Sequence, residues 1–165
     1  MDLIKELATE MENEAATTRK MLALVPDDRL DWSPHPKSMT LKQLATHIAE
    51  IPSWVVLAVE QDELDFNADG YRPTSADSRA DLLALFEKSY EAGRAALERL
   101  PASKLDTPWV MRGGDVVYLD TTKYGMIRHA LAQTIHHRAQ LGVFLRLLDI
   151  AIPGSYGPSA DEMAG

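Results

Sequence analysis

The amino-acid sequence predicts an all-α protein, a four-helix bundle with a small β-hairpin before the last helix. Four long stretches carry apolar residues at helical spacing, and segments rich in proline, glycine and aspartate separate them. The 165 residues, of which 45% are hydrophobic, are enough to bury one core, so we expect residues 1–165 to form one domain. Four helices in a domain of this size most simply pack as a bundle.

The first helix is predicted over residues 3–24, because apolar residues recur there at intervals of about one turn. Pro26 ends this helix. The following segment, PDDRLDWSPHPKSMT, contains three prolines and cannot be helical.

The second helix is predicted to begin at Thr40 and to continue to about residue 60. Thr40 and Gln43 have the spacing of a capping box, in which each side chain binds a backbone amide of the first turn. Pro52 lies inside this stretch and cannot donate a hydrogen bond to the carbonyl of Ile48. We therefore expect a kink at Pro52.

The second half of the chain contains two more helices and the hairpin. A long polar connection over residues 61–77 precedes the third helix, predicted over residues 78–100. Apolar runs flank Gly113-Gly114, which predicts a β-hairpin whose turn needs a positive φ. The fourth helix is predicted over residues 121–148. Connections longer than ten residues allow helices that are neighbours in sequence to run parallel, joined by a crossover.

Composition excludes several classes of function. The chain has a formal charge of −8, from 25 acidic and 17 basic residues, and no block of clustered lysine and arginine, so we expect no nucleic-acid partner. There is no cysteine, which excludes disulfides, thiolate metal sites and cysteine nucleophiles. Neither a Gly-rich phosphate loop nor a Gly-x-Ser-x-Gly motif occurs.

The pattern of apolar residues also bears on location. The first twenty residues are acidic and amphipathic, without the basic start and continuous apolar run of a secretion signal. No apolar run reaches the roughly 20 residues that span a bilayer. We therefore expect a cytoplasmic protein without a membrane partner.

Two adjacent histidines in the last helix have different directions. A helix turns about 100° per residue, which places His137 and Gln133 on an apolar stripe that faces the bundle interior. His136 lies about 100° away, on a flank that it shares with His129. We expect His129 and His136 at a wet or intersubunit edge, with Arg138 pairing or capping there.

His47, on the second helix, repeats this pattern. It shares a face with apolar residues that include Trp54, so two helices each direct a histidine into a mostly apolar core. A buried unpaired polar group costs about 1–3 kcal/mol, and a divalent metal would satisfy both rings. Gln133 would offer its carbonyl oxygen from one turn before His137. The alternative is a pair of core histidines that bind only carbonyls or water.

Three further residues are candidates for a role at this site, and each also has a simpler structural explanation. Glu50, three residues after His47, is a candidate fourth ligand, base or substrate contact, or a solvated surface charge. Trp54 is a candidate substrate contact or a core residue. His35 lies between prolines in a loop, where it lines a cleft entrance or is simply exposed.

Two stretches of the chain resemble a known family. MTLKQLATHIAEIPSW and IRHALAQTIHHRAQLGVFLRLLDIAIPGSYGPSADE are similar to the DinB/YfiT-like superfamily of metalloenzymes, and the resemblance covers nearly the whole chain. It implies an up-down-down-up four-helix bundle, often a homodimer. It also implies a metal, usually nickel or zinc, held by one histidine of the second helix and two histidines, four residues apart, of the last.

The resemblance places two of the three ligands on histidines of this chain. The ligand of the second helix corresponds to His47 and the final ligand to His137, while the remaining position holds Gln133. A neutral amide is a weaker ligand than imidazole. Three outcomes stay open: a weakly held metal, a metal bound through the amide oxygen, or a lost site.

The resemblance also implies a chemistry, because its characterised members include transferases and an isomerase that use a low-molecular-weight thiol. We therefore expect a metal-dependent enzyme with a small-molecule substrate, in particular a thiol S-transferase. A metal would lower the pKa of a bound thiol and present a nucleophile. The alternative is a non-catalytic dimeric bundle, binding a small molecule or purely structural, in which Gln133 marks a degenerate metal site.

Overall fold

The computed structural model describes residues 2–68 and 74–163. Six α-helices and three β-strands lie within them: α1 (Leu3–Leu22), α2 (Leu41–Glu50), α3 (Trp54–Glu60), β1 (Glu63–Asp65), α4 (Arg79–Arg99), β2 (Pro108–Gly113), β3 (Val116–Thr122), α5 (Lys123–Leu147) and the short α6 (Ala160–Met163). The predicted four-helix bundle with a hairpin before the last helix is confirmed, with α2 and α3 together forming its second helix. Residues 69–73 of the predicted polar connection lie outside the described residues.

Ion pairs show how α1 runs relative to its two neighbours. The pairs between α1 and α4 run in opposite order along the two helices: Arg19–Glu87 and Glu12–Arg94. The pairs between α1 and α5 run in the same order: Glu10–Arg128 and Glu14–Arg138. Helix α1 is therefore antiparallel to α4 and parallel to α5.

The second bundle helix, α2–α3, also contacts α4 and α5. Its ion pairs with α4 and with the segment just before α4 follow the same order along both: Lys42–Asp77 and Glu60–Arg99. Its contacts with α5 run in the opposite order: His47–His137 and Ala58–Lys123. Helix α2–α3 is thus parallel to α4 and antiparallel to α5. This is the up-down-down-up arrangement, with the crossover that the long connections allow.

The predicted break at Pro52 is present. A 3₁₀ turn over Ile51–Ser53 separates α2 from α3. On α4, Gly93 packs so closely against this turn that a Cβ there would lie 2.2 Å from the carbonyl oxygen of Pro52. The absence of a side chain at Gly93 therefore sets how closely α4 approaches the break.

The hairpin is part of a three-stranded sheet. Strand β2 pairs antiparallel with β3, and the turn between them places Gly114 at φ 60°, as predicted. Strand β1 pairs parallel with β2. Buried Asp65 of β1 accepts a hydrogen bond from the Gly114 amide at 2.9 Å and forms an ion pair with Arg112 at 2.5 Å, so its carboxylate holds the hairpin turn.

Lys123, the first residue of α5, closes the end of the bundle that carries the sheet. Its buried ammonium group donates to the carbonyls of Ala58 at 3.0 Å and Val59 at 3.2 Å, and it pairs with Asp62 at 2.9 Å. The last carbonyls of a helix lack partners within the helix. Lys123 therefore caps the C-terminus of α3 from the N-terminus of α5.

A buried ion pair joins α1 to α5. Arg138 is 2% exposed, and its guanidinium lies 2.6 Å from the carboxylate of Glu14. It also donates to the hydroxyls of Thr18 at 3.2 Å and Tyr156 at 3.1 Å. The expectation that Arg138 pairs at a wet edge beside His129 and His136 is wrong, because the residue after His137 points across the bundle toward α1.

The C-terminal segment packs back on α5. Asp161 accepts two hydrogen bonds from Arg146, at 2.9 and 2.5 Å, and one from the Ile152 amide at 3.0 Å. The pairing with Arg146 and the bond from Ile152 lower the pKa of Asp161 to about 2. No helix in residues 2–68 and 74–163 has the length and apolar content needed to cross a membrane.

Candidate metal centre

His47 of α2 and His137 of α5 meet inside the bundle. Their ring centroids are 4.7 Å apart, and the rings are inclined at 77°. Both side chains are half-buried. The positions of His47 and His137 around their helices predicted that each ring points inward. The antiparallel packing of α2 on α5 brings the two rings together.

Glu50 is buried beside His47. One of its carboxylate oxygens lies 3.1 Å from Nδ1 of His47, and the residue is only 8% exposed. The interpretation of Glu50 as a solvated surface charge is therefore wrong. Because an ionised carboxylate can only accept, this contact is a hydrogen bond when the ring proton of His47 lies on Nδ1, which leaves a lone pair on Nε2.

His137 has a corresponding partner on its own helix. Its Nδ1 lies 2.9 Å from the side-chain oxygen of Gln140, and the amide nitrogen of Gln140 lies 3.2 Å from Nε2 of His136. The Gln140 amide thus donates to His136 and accepts from His137. With this pairing the lone pair of His137 lies on Nε2. The exposed ring of His136 also packs edge-on against His137, with ring centroids 4.8 Å apart.

Burial favours the neutral form of His137. Desolvation lowers the pKa of His137, the hydrogen bond to Gln140 opposes this, and repulsion from His47 and His136 lowers it further. A neutral imidazole is the form that binds a metal. Burial therefore favours the form of His137 that can bind a metal.

Trp54, at the start of α3, forms one wall beside the histidines. Its ring centroid is 5.5 Å from that of His47, as their shared face predicted, and it stacks on His129 at 6.3 Å with an interplanar angle of 11°. Burial lowers the pKa of His129. His129 is half-buried, whereas His136 and His35 are exposed.

Two open clefts meet at Glu50. The first, of about 630 Å³, is lined by residues of α2 and by Thr74 and Ser75, and most of its surface is apolar. Its lining includes Lys42, Gln43, Thr46 and His47. The second, of about 450 Å³, runs between α3 and α4 past Trp54. Of the two predicted substrate contacts, Glu50 lines both clefts and Trp54 lines the second.

Two residues of this site, His47 and His137, fit as donors to one divalent metal. His47 and His137 each offer an Nε2 lone pair and each hold Nδ1 against an oxygen acceptor, as metal-binding histidines usually do. Gln133 lies half-buried one turn before His137 and contributes at most an amide oxygen. Across the described ranges, no group of three or more His, Asp or Glu side chains is arranged to hold a metal ion.

Comparison with known proteins identifies the family. The DinB superfamily matches residues 10–141, which is most of the chain. The chain belongs to the DinB superfamily. The resemblance seen in the motifs around His47 and His137 is thereby confirmed.

Relatives of this DinB-superfamily protein match along most of their length. The uncharacterized protein YrdA of Bacillus subtilis strain 168 is 26% identical over 156 residues, which cover 93% of this chain and 87% of YrdA. A DinB-like protein from Bacillus cereus ATCC 10987 has a TM-score of 0.73 at 21% identity, and the alignment covers 92% of this chain and 97% of that protein.

Two other solved structures carry functional descriptions. YfiT from Bacillus subtilis, described as a probable metal-dependent hydrolase with an unusual four-helix bundle topology, has a TM-score of 0.63 at 15% identity, covering 90% of this chain and 89% of YfiT. The mycothiol-dependent maleylpyruvate isomerase has a TM-score of 0.57 at 14% identity, covering 84% of this chain and 60% of the isomerase. At these identities the likeness shows a shared fold.

Proposed function

We propose that this DinB-superfamily protein is a metal-dependent enzyme in which His47 and His137 bind a divalent metal, nickel or zinc, and that it transfers a low-molecular-weight thiol to an electrophile. The observation that carries the proposal is the pair itself. Two half-buried imidazoles adjoin at 4.7 Å, and each holds Nδ1 against an oxygen acceptor. The descriptions of YfiT as metal-dependent and of the isomerase as mycothiol-dependent support the proposed chemistry.

A bound metal would lower the pKa of a thiol that enters the site. The residues of the chain bind and orient the reactants. His47 and His137 donate through Nε2, and Gln133 offers its amide oxygen as a weak third ligand. Trp54 packs edge-on against His47, and the cleft beside α2, whose surface is mostly apolar, accepts the small molecule.

Metal content and titration test the first half of this proposal. Tag-free protein is stripped with chelator, loaded with nickel or zinc, and analysed by inductively coupled plasma mass spectrometry beside His47→Ala, His137→Ala and His35→Ala. We expect near-stoichiometric metal in the wild-type protein and in His35→Ala, since His35 is exposed in a loop, and loss of metal in the other two variants. Wild-type protein without metal would contradict the proposal.

Thiol transfer tests the second half. Small thiols are assayed with an electrophile whose conjugation is followed by mass spectrometry, before and after metal removal. Activity should disappear with the metal and return when it is added back. Transfer that survived complete chelation would contradict a metal-dependent mechanism.

The second candidate function is a non-catalytic bundle that binds a small molecule in the clefts beside α2 and α3. Two observations favour it: Gln133 stands where the family resemblance implies a histidine, and no three-residue group of His, Asp or Glu ligands is assembled in the part of the chain that the structure describes. Thermal melting separates the two candidates, because a metal that binds only the native state raises the midpoint. An unchanged midpoint with nickel and zinc would favour the non-catalytic bundle.

A further inference from the structure

The two histidines of the candidate metal centre are held by acceptors that match in spacing and differ in charge. Glu50 lies three residues after His47, and Gln140 lies three residues after His137, so each acceptor faces its ring from the next turn of the same helix. Glu50 presents a carboxylate, whereas Gln140 presents a neutral amide. The two rings are therefore not equivalent as donors.

The carboxylate fixes its histidine more firmly than the amide does. An ionised carboxylate can only accept, so a neutral ring satisfies Glu50 in one tautomer alone, with the proton on Nδ1. A rotated amide can donate instead, and Gln140 keeps its orientation through a second bond, to His136 at 3.2 Å. Hydrogen bonds to charged groups are also about twice as strong as neutral ones.

Burial strengthens the argument for Glu50. The residue is 8% exposed at the last position of α2, just before the 3₁₀ turn that begins at Ile51. A buried carboxylate is costly unless it is paired, and one partner of Glu50 is His47, a candidate metal ligand. A glutamate that served only as a solvated surface charge would not need to be buried against His47.

We propose that Glu50 is a positioning residue: it holds His47 in the tautomer with the proton on Nδ1 and strengthens Nε2 of His47 as a metal donor. Carboxylates that accept from a metal-binding histidine fix its orientation and raise its basicity. A strengthened His47 offsets the replacement of a third imidazole by Gln133. The metal half of this inference rests on the proposed function, whereas the tautomer half concerns the metal-free protein.

The tautomer is measured without metal. Long-range ¹H–¹⁵N NMR of histidine-labelled apo protein at neutral pH reports which ring nitrogen carries the proton. We expect the Nδ1–H form for His47 in the wild-type protein and in Gln140→Ala, and a shift toward the Nε2–H form in Glu50→Gln, whose amide can donate to Nδ1. An Nε2–H form in the wild-type protein, or an unchanged tautomer in Glu50→Gln, would overturn the inference. The wild-type spectrum decides this even if the variant fails to fold.

Metal affinity is measured on the same proteins by isothermal titration with nickel and with zinc. We expect the Kd to rise about 10–100-fold in Glu50→Gln and less in Gln140→Ala. Gln140→Ala is the matched control, because it removes a neutral acceptor instead of a charged one. An unchanged Kd in Glu50→Gln would overturn the inference and leave the proposed function standing. Wild-type protein that bound neither metal would overturn the proposed function and the metal half of the inference, while the tautomer result would stand by itself.

Discussion

Glu14 of α1 and Arg138 of α5 form an ion pair at 2.6 Å in the bundle interior, where their side chains are 9% and 2% exposed. Removing one partner leaves the other charge buried and unpaired, which is costly. We therefore expect Arg138→Met to lower the free energy of unfolding by about 3–5 kcal/mol, measured by urea denaturation. The double variant Glu14→Leu/Arg138→Met should recover most of this loss, because it removes both charges. A loss below about 1 kcal/mol, the value typical of exposed pairs, would contradict a buried pair.

Gln133→His should restore the third imidazole that the family resemblance implies. Imidazole binds nickel and zinc better than a neutral amide oxygen does, so we expect the Kd for either metal to fall by about tenfold or more. Ala132→His is the matched control, because it adds a histidine at the neighbouring, exposed position of α5. Isothermal titration gives both affinities. An equal gain in the two variants would mean that position 133 does not face the metal.

Gly93→Ala should loosen the packing of α4 on the break in the second bundle helix. The new Cβ would lie 2.2 Å from the Pro52 carbonyl oxygen, and that atom belongs to the backbone and cannot rotate away. Overpacking of this kind costs about 1–3 kcal/mol, so the midpoint of thermal unfolding should fall. Ala95→Ser, at an exposed position of the same helix, should change stability by less than about 0.5 kcal/mol. A stabilised Gly93→Ala variant would show that α4 moves away freely.

The attachment of the C-terminal segment should depend on pH through Asp161. Its pKa in the folded protein is about 2, below the ordinary value of 3.8, because Arg146 and the Ile152 amide stabilise the charged carboxylate. The stabilisation is therefore complete above the ordinary value and is lost as the pH falls through about 2. The Ile152 amide resonance, followed by NMR from about pH 5 to about pH 1, should titrate with that low midpoint.

Asp161→Asn provides the comparison for this titration. The variant keeps an acceptor for the Ile152 amide but loses the charge that pairs with Arg146, so the low-pH transition of the Ile152 resonance should disappear. A wild-type midpoint near the ordinary value of an aspartate would contradict the depressed pKa.

The local features of the fold were predictable from the sequence because their causes are local. The capping box of Thr40 and Gln43 forms as expected, with both of its hydrogen bonds present. Pro52 marks the break because its ring removes an amide donor, and Gly114 marks the turn because it lacks a side chain and accepts a positive φ. Helical periodicity likewise showed that His47 and His137 point inward.

The remaining features depend on partners that are distant in the chain. Strand β1 has only three residues, too few for a pattern, and exists because β2 pairs with it. A charged residue beside two histidines is typical of a solvated edge, and Arg138 is buried only because Glu14 and Thr18 of α1 face it. The spacing of Glu50 from His47 was visible in the sequence, but its burial depends on the packing of the second bundle helix.

Lys123 holds together the end of the bundle that carries the sheet. Lys123 caps the C-terminus of α3 from the first turn of α5, so we expect the C-terminus of α3 and the N-terminus of α5 to unfold together. His137 lies 14 residues further along α5, about 21 Å away at 1.5 Å per residue. We therefore expect opening motions near the histidines to occur while the sheet end stays folded, and backbone amides of α2 to exchange with deuterium sooner than those around Lys123.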